Sequence, residues 1–290
     1  VTEERPKILE RFAMSVQRFS VSVRLSVFLL ALASSAAGWA QDWAKQRLAE
    51  SPRHGEWVVL ERDGRKVDAF VVFPEVAEKA TAVVVIHEIF GLTDWVRGVA
   101  DQLAEAGYIA IAPDLLSGAG PDGGNTSSFE SVDAARRAIA GLPPDQITLD
   151  LNASVDYVRG LPACNGKVVV TGFCWGGSQT FRFAANNQTI KAALPFYGSG
   201  PTNPAEIERI QCPVIGFYGG NDARVNATIP ESERLMKEAG KTYEPLLYEG
   251  AGHGFMRAGE APDANEANRI GREKAWQRLK DVLAKVGREE

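Results

Sequence analysis

Gly172-Phe173-Cys174-Trp175-Gly176-Gly177 follows the apolar run Lys167-Val168-Val169-Val170-Thr171 and precedes a segment with helical character. Strand, sharp turn and helix in that order form a nucleophile elbow, G-x-S-x-G, with cysteine in the serine position. The turn crowds the backbones around it, so a Cβ at Gly172 or Gly176 would obstruct the packing. It lifts the Cys174 side chain above a sheet and leaves the Trp175 N–H free to stabilise an oxyanion. The motif therefore points to acyl-transfer chemistry with a thiol nucleophile.

Working outward, the spacing predicts alternating strands and helices. Glu56–Glu61 and Val67–Phe73 read as strands joined at Asp63-Gly64, a strong hairpin turn. Thr81–Ile86 is a β-branched run suited to a strand buried on both faces. Asp94–Ala106 has helical spacing and stops at Gly107, and Tyr108–Ala112 is a strand stopped by Pro113. Ser117–Gly124 is a Gly-rich loop, followed by helices at Ser131–Ala140 and Asp145–Arg159. The elbow strand is placed at Val168–Thr171 and its helix at Gly177–Ala185. Strands at Ala192–Tyr197, Val214–Tyr218 and Tyr243–Tyr248 alternate with helices at Ala205–Ile210, Glu231–Ala239 and Glu266–Val286. Alternation of this kind implies a mainly parallel sheet covered on both faces. There is no internal repeat, and no linker divides the chain.

A thiol nucleophile needs a base and an orienting acid, and the chain has only three histidines. His54 lies in a polar leader and is expected at the surface. His87 ends the Thr81–Ile86 strand. His253 stands in Gly250-Ala251-Gly252-His253-Gly254-Phe255, just after the Tyr243–Tyr248 strand. Asp222 follows the Val214–Tyr218 strand in Gly219-Gly220-Asn221-Asp222. Loops at strand carboxyl ends gather along one edge of a parallel sheet, so Cys174, Asp222 and His253 are expected to meet there. The bland alternatives are a loop histidine without a role and a turn-forming aspartate. His87-Glu88-Ile89-Phe90-Gly91 begins like H-E-x-x-H, but Gly91 stands where the second histidine is required, so no metal is expected. That loop follows a strand expected beside the elbow. It assigns the second oxyanion N–H to Ile89 and puts the Glu88 carboxylate at the rim of the site, the alternative being a salt-bridged loop residue.

The 290 residues are 45% hydrophobic, enough for one large core, and the formal net charge of −5 argues against a nucleic-acid surface. From Met14 a basic stretch with Arg18 and Arg24, the apolar run Leu25–Ala33 and small residues up to Ala40 form a secretory signal pattern. The expected organisation is an upstream extension and signal over residues 1–40, with a natural start at Met14 and cleavage after Ala40. A single domain follows over residues 41–290, exported to the periplasm or secreted. The apolar run is short for a membrane span. Export would place Cys164, Cys174 and Cys212 in an oxidising compartment. Cys164 and Cys212 precede two strands and are candidates for a disulfide, with two buried free thiols as the alternative.

The motifs Gly-Phe-Cys-Trp-Gly-Gly, His-Glu-Ile-Phe-Gly, Ala112-Pro113-Asp114-Leu115, Gly-Asn-Asp and Gly-His-Gly-Phe, taken in order, resemble the dienelactone hydrolases from about Gly55 to the C-terminal helix. The resemblance implies an α/β-hydrolase fold: a mostly parallel sheet with helices on both faces and an N-terminal antiparallel hairpin. It implies a Cys174–His253–Asp222 triad that cleaves an ester or lactone through a thioester, without a cofactor. It also implies that Glu88 contacts the resting thiol until a substrate carboxylate on arginine displaces it. Arg257, four residues after His253, matches one carboxylate-binding arginine. The other should follow Ala-Pro-Asp-Leu, where this chain reads Leu116-Ser117-Gly118-Ala119. That departure touches substrate choice and leaves the ester-cleaving residues in place. The expected partner is a small ester or lactone acting on a monomer.

The competing readings are a non-catalytic periplasmic binding protein on the same fold and a thiol redox protein. Retention of all three triad residue types argues against the first, and the lack of a C-x-x-C pair against the second. A papain-type protease would show Cys-Gly-Ser-Cys-Trp and an asparagine third member, and neither is present.

Overall fold

The computed structural model describes residues 42–288. The signal pattern and the cleavage position after Ala40 lie outside the described residues. Eight strands form one sheet in the order β1-β2-β4-β3-β5-β6-β7-β8. β1 (Gly55–Arg62) and β2 (Arg65–Val72) make the hairpin at Asp63-Gly64, and β2 also runs antiparallel to β4 (Ile109–Pro113). Every other pairing is parallel: β3 (Ala80–Ile86) lies between β4 and β5 (Cys164–Phe173). β6 (Ala192–Phe196), β7 (Val214–Gly219) and β8 (Tyr243–Tyr248) follow in turn.

β3 is mostly β-branched and fully buried, and β5 carries the buried β-branched run Val168–Thr171, as central strands of a two-faced sheet must. Ala82, Val84 and Ile86 join one apolar cluster with Ile147, Leu151 and Val155 of α4 (Pro144–Gly160) and Phe181 of α5 (Trp175–Ala184). Val83 and Val85 point to the opposite face, because side chains alternate along a strand, and they too are fully buried. Both faces are therefore covered. α2 (Asp94–Glu105), α3 (Val132–Ala140), α6 (Pro204–Glu208), α7 (Ala223–Asn226), α8 (Ile229–Glu238), α9 (Phe255–Ala258) and α10 (Glu266–Arg288) complete the crossovers, with single 3₁₀ turns at Pro121–Gly123 and Thr126–Ser128.

Two details depart from the sequence expectation. Residues 42–49, read as part of a charged leader, form helix α1 (Asp42–Ala49). β5 starts at Cys164 rather than Val168, because its first residues pair with Ala80 across a β-bulge. Of the two alternatives open for Cys164 and Cys212, the structure has the unpaired one. Both are buried free thiols, β6 runs between their two strands, and burial pushes the Cys212 thiol up to about 12.

Candidate active site

The elbow is as tight as its glycines suggest. A Cβ on Gly172 would lie 2.4 Å from the Gly176 carbonyl oxygen, and one on Gly176 would lie 2.3 Å from that of His87. Cys174 has φ 57° and ψ −116°, a backbone state that costs a non-glycine residue free energy and tends to mark function. Its N–H donates to the Phe196 carbonyl at 3.0 Å, so β6 holds the turn from the side. Helix α5 begins at Trp175, and its N-terminal end brings partial positive charge beside the sulfur.

The three crossovers meet as their chain order suggests. His253 Nε2 lies 3.1 Å from Cys174 Sγ, and His253 Nδ1 lies 2.5 Å from Asp222 Oδ2. Asp222 is 6% exposed and caps α7 by accepting from the Val225 N–H, which fixes its other oxygen. The Asn221 N–H donates to the Ala251 carbonyl, and the Gly252 N–H to Asn268 Oδ1, so the acid and histidine loops are tied together and to α10. The hydrogen bond to Cys174, and then that to Asp222, outweigh burial and raise the His253 imidazole to about 9.

The β3 loop runs alongside. Ile86 pairs with Gly172 in the sheet, so the His87–Gly91 turn emerges next to the elbow. The Ile89 and Trp175 N–H groups donate to no acceptor among the described residues, which suits two oxyanion donors. His87, which sequence reasoning left without a role, is fully buried behind them. The Leu115 N–H donates to its Nε2, so Nδ1 carries the proton and donates to the Glu88 carbonyl at 2.8 Å. Burial lowers its basicity, and the neutral ring stacks on Trp175. His54 is exposed and rests on Phe73.

Glu88 is only 2% exposed. Burial pushes its carboxyl up, and Arg257 opposes the shift with an Nε–Oε2 bond of 2.8 Å. Arg257 lies over the Phe90 ring, and the pull of Glu88 outweighs burial and holds its guanidinium charged. Among the described residues no hydrogen bond joins Glu88 to Cys174: the thiol faces His253 and the carboxylate faces Arg257. A buried carboxylate finds more stabilisation beside a cation than beside a neutral thiol. Tyr197 was not singled out by sequence. It is buried at the end of β6 with φ 40°, and its ring meets that of His253 edge-on at 5.1 Å. Its hydroxyl has no hydrogen-bond partner among the described residues. A tyrosine just past a strand carboxyl end was the only signal available.

The dienelactone hydrolase family profile matches residues 67–287. The chain belongs to the dienelactone hydrolase family. It is a hydrolase of ester or lactone bonds. A protein of Methylorubrum extorquens named "putative carboxymethylenebutenolidase" is 30% identical over 244 residues, spanning 80% of this chain and 81% of its own. A Salmonella typhimurium protein of the same name is 31% identical over 239 residues, 77% of this chain and 84% of its own. Among solved structures, a dienelactone hydrolase homologue from Klebsiella pneumoniae superposes with a TM-score of 0.69 at 25% identity, covering 80% of this chain and 98% of that one.

Proposed function

We propose that Cys174 is the nucleophile and that hydrolysis runs through a thioester. The observation that carries this reading is the line of contacts from sulfur to imidazole to carboxylate, 3.1 Å and 2.5 Å. The His253 imidazole, raised to about 9 and 3.1 Å from the sulfur, is placed to take the proton that Cys174 gives up as it attacks. The thiolate adds to the ester carbonyl, forming the C–S bond and an oxyanion between the Ile89 and Trp175 amides. Each such donor contributes roughly 2.7–4 kcal/mol of transition-state stabilisation. Collapse of the intermediate expels the alkoxide, which takes its proton from His253. Water then attacks the thioester, His253 accepts its proton, and the released thiolate closes the cycle. Asp222 holds the imidazole in one tautomer throughout.

Arg257 is the proposed anchor for a substrate carboxylate. It is half-buried and charged, and Cys174 is close enough to act on its guanidinium. A substrate carboxylate on Arg257 would compete with Glu88 for the same guanidinium. The Met14–Ala40 pattern supports export of the enzyme, which sequencing of the exported protein would check by a first residue at Gln41. The mechanism is tested by Cys174→Ala, which should lower turnover of p-nitrophenyl acetate by about 10⁴-fold or more. A wild-type rate in that variant would remove the assignment.

A further inference from the structure

Three residues beyond Arg257, outside the triad and the oxyanion turn, stands a second buried carboxylate. Glu260 has only 7% of its side chain exposed, yet four donors from three helices converge on it. Trp95 Nε1 of α2 donates to Oε2 at 2.8 Å. Oε1 accepts from Gln102 Nε2 of α2 at 2.8 Å, from Arg272 Nη2 of α10 at 3.1 Å and from Arg47 Nη1 of α1. Arg272 also donates to Gln102 Oε1, which closes the network. No neutral side chain replaces this group: an amide has a single oxygen, and its NH₂ would face Trp95 or the two arginines.

The hub touches the site by two routes. Through the backbone, the Glu260 N–H donates to the Arg257 carbonyl and the Gly259 N–H to that of Phe255, so fixing Glu260 fixes the one-turn helix α9. That helix carries Arg257 and directly follows His253-Gly254. Through Trp95, whose ring packs edge-on against Phe173 at 4.9 Å, the hub leans on the residue preceding Cys174. We propose that Glu260 is a positioning residue, a charged hub that sets Arg257 and His253 relative to the elbow. The inference rests on Cys174 and Arg257 acting as proposed above.

The test compares Glu260→Gln with wild type in the full chain, using p-nitrophenyl acetate as the neutral ester and mono-p-nitrophenyl succinate as the carboxylated one. A misplaced anchor should raise KM for the succinate ester and lower its kcat/KM by about 10- to 100-fold, with a smaller loss for the acetate. Folded chains should still take one thiol label at Cys174. Amide exchange over residues 253–260 should quicken by roughly 10-fold or more while the elbow amides stay protected. Gln102→Met, nearly isosteric, removes the donor to Glu260 and the acceptor of Arg272 while leaving the Glu260 carboxylate with its other three donors; it should shift both readouts the same way by less, and it serves if Glu260→Gln does not fold. Equal losses on both esters in step with lost folded protein would reduce Glu260 to scaffolding, and unchanged kinetics and exchange would remove the proposal. Should Cys174→Ala keep the wild-type rate, the mechanism falls separately, and exchange over residues 253–260 still judges the hub.

Discussion

The elbow and the His253–Glu260 segment serve the same reaction but are held by different forces. At the elbow, backbone meets backbone: the Gly176 carbonyl of α5 crowds Gly172, the Ile86 and His87 carbonyls crowd Gly176, and the Phe196 carbonyl of β6 crowds Gly177, with no space left for a Cβ. Apart from Gly259, where a Cβ would lie 2.3 Å from the Asn268 carbonyl oxygen, the His253–Glu260 segment is held mainly by side chains: Asn268 on Gly252, Asp222 on His253, Glu88 on Arg257, and four donors on Glu260. Backbone crowding admits one arrangement, whereas side-chain tethers can be exchanged singly. The fold thus fixes Cys174 and leaves His253 and Arg257 adjustable by substitution.

Two glycine substitutions would break the contrast most sharply. Gly176→Ala drives a methyl group into the His87 and Ile86 carbonyls, and no side-chain movement relieves it, so a loss of about 4 kcal/mol is expected in urea unfolding. Gly254→Ala has open space, its nearest contacts being 3.8 Å away or more, and only the φ of 73° opposes it. Its expected cost is roughly 1–2 kcal/mol. Equal losses would show that both regions are held alike.

Arg257→Ala probes the tethers next. It leaves Glu88 buried without its cation, and breaking a buried pair in this way costs about 3 kcal/mol. The deficit should shrink in acid, where Glu88 takes up a proton, because burial already pushes that carboxyl up. Any preference for carboxylated esters should vanish with it. A stability deficit independent of pH would mean that Glu88 does not depend on Arg257.

His253 gives the smallest effect, since 33% of its side chain meets solvent and water screens its partners. An imidazole raised on folding contributes stability in full below its unfolded value near 6.5. It loses that contribution as pH rises through about 9. The Tm gap between wild type and His253→Gln should therefore be wider at pH 6 than at pH 10. A constant gap would contradict the raised imidazole.

What sequence made legible follows the same division. The elbow, the β-branched strands and the order Cys174, Asp222, His253 rest on local patterns: glycines at a turn, apolar runs, residues just past strand ends. The family match and the sheet agree with the fold and family in that reading. The pairing of Glu88 with Arg257 lies across 169 residues and was read as two separate residues. The Glu260 hub draws donors from positions 47, 95, 102 and 272, none near it in sequence except Arg272, so no local pattern marks it. Helix α1 was missed because its residues are mostly polar and exposed, with Ala44 alone buried, so it carries little apolar periodicity. His87 looked like a strand end, and only the neighbouring Leu115 N–H and Trp175 ring give it work.

The strand order has a consequence for the life of the molecule. The sulfur sits on a central strand, while its imidazole hangs from β8, the last strand at the open edge. Edge strands detach at lower cost than central ones. Fraying there would carry His253 away from Cys174 while the middle of the sheet still stands. Warming should therefore silence turnover before the bulk of the protein melts, and a newly made chain should stay inert until its final strand has docked.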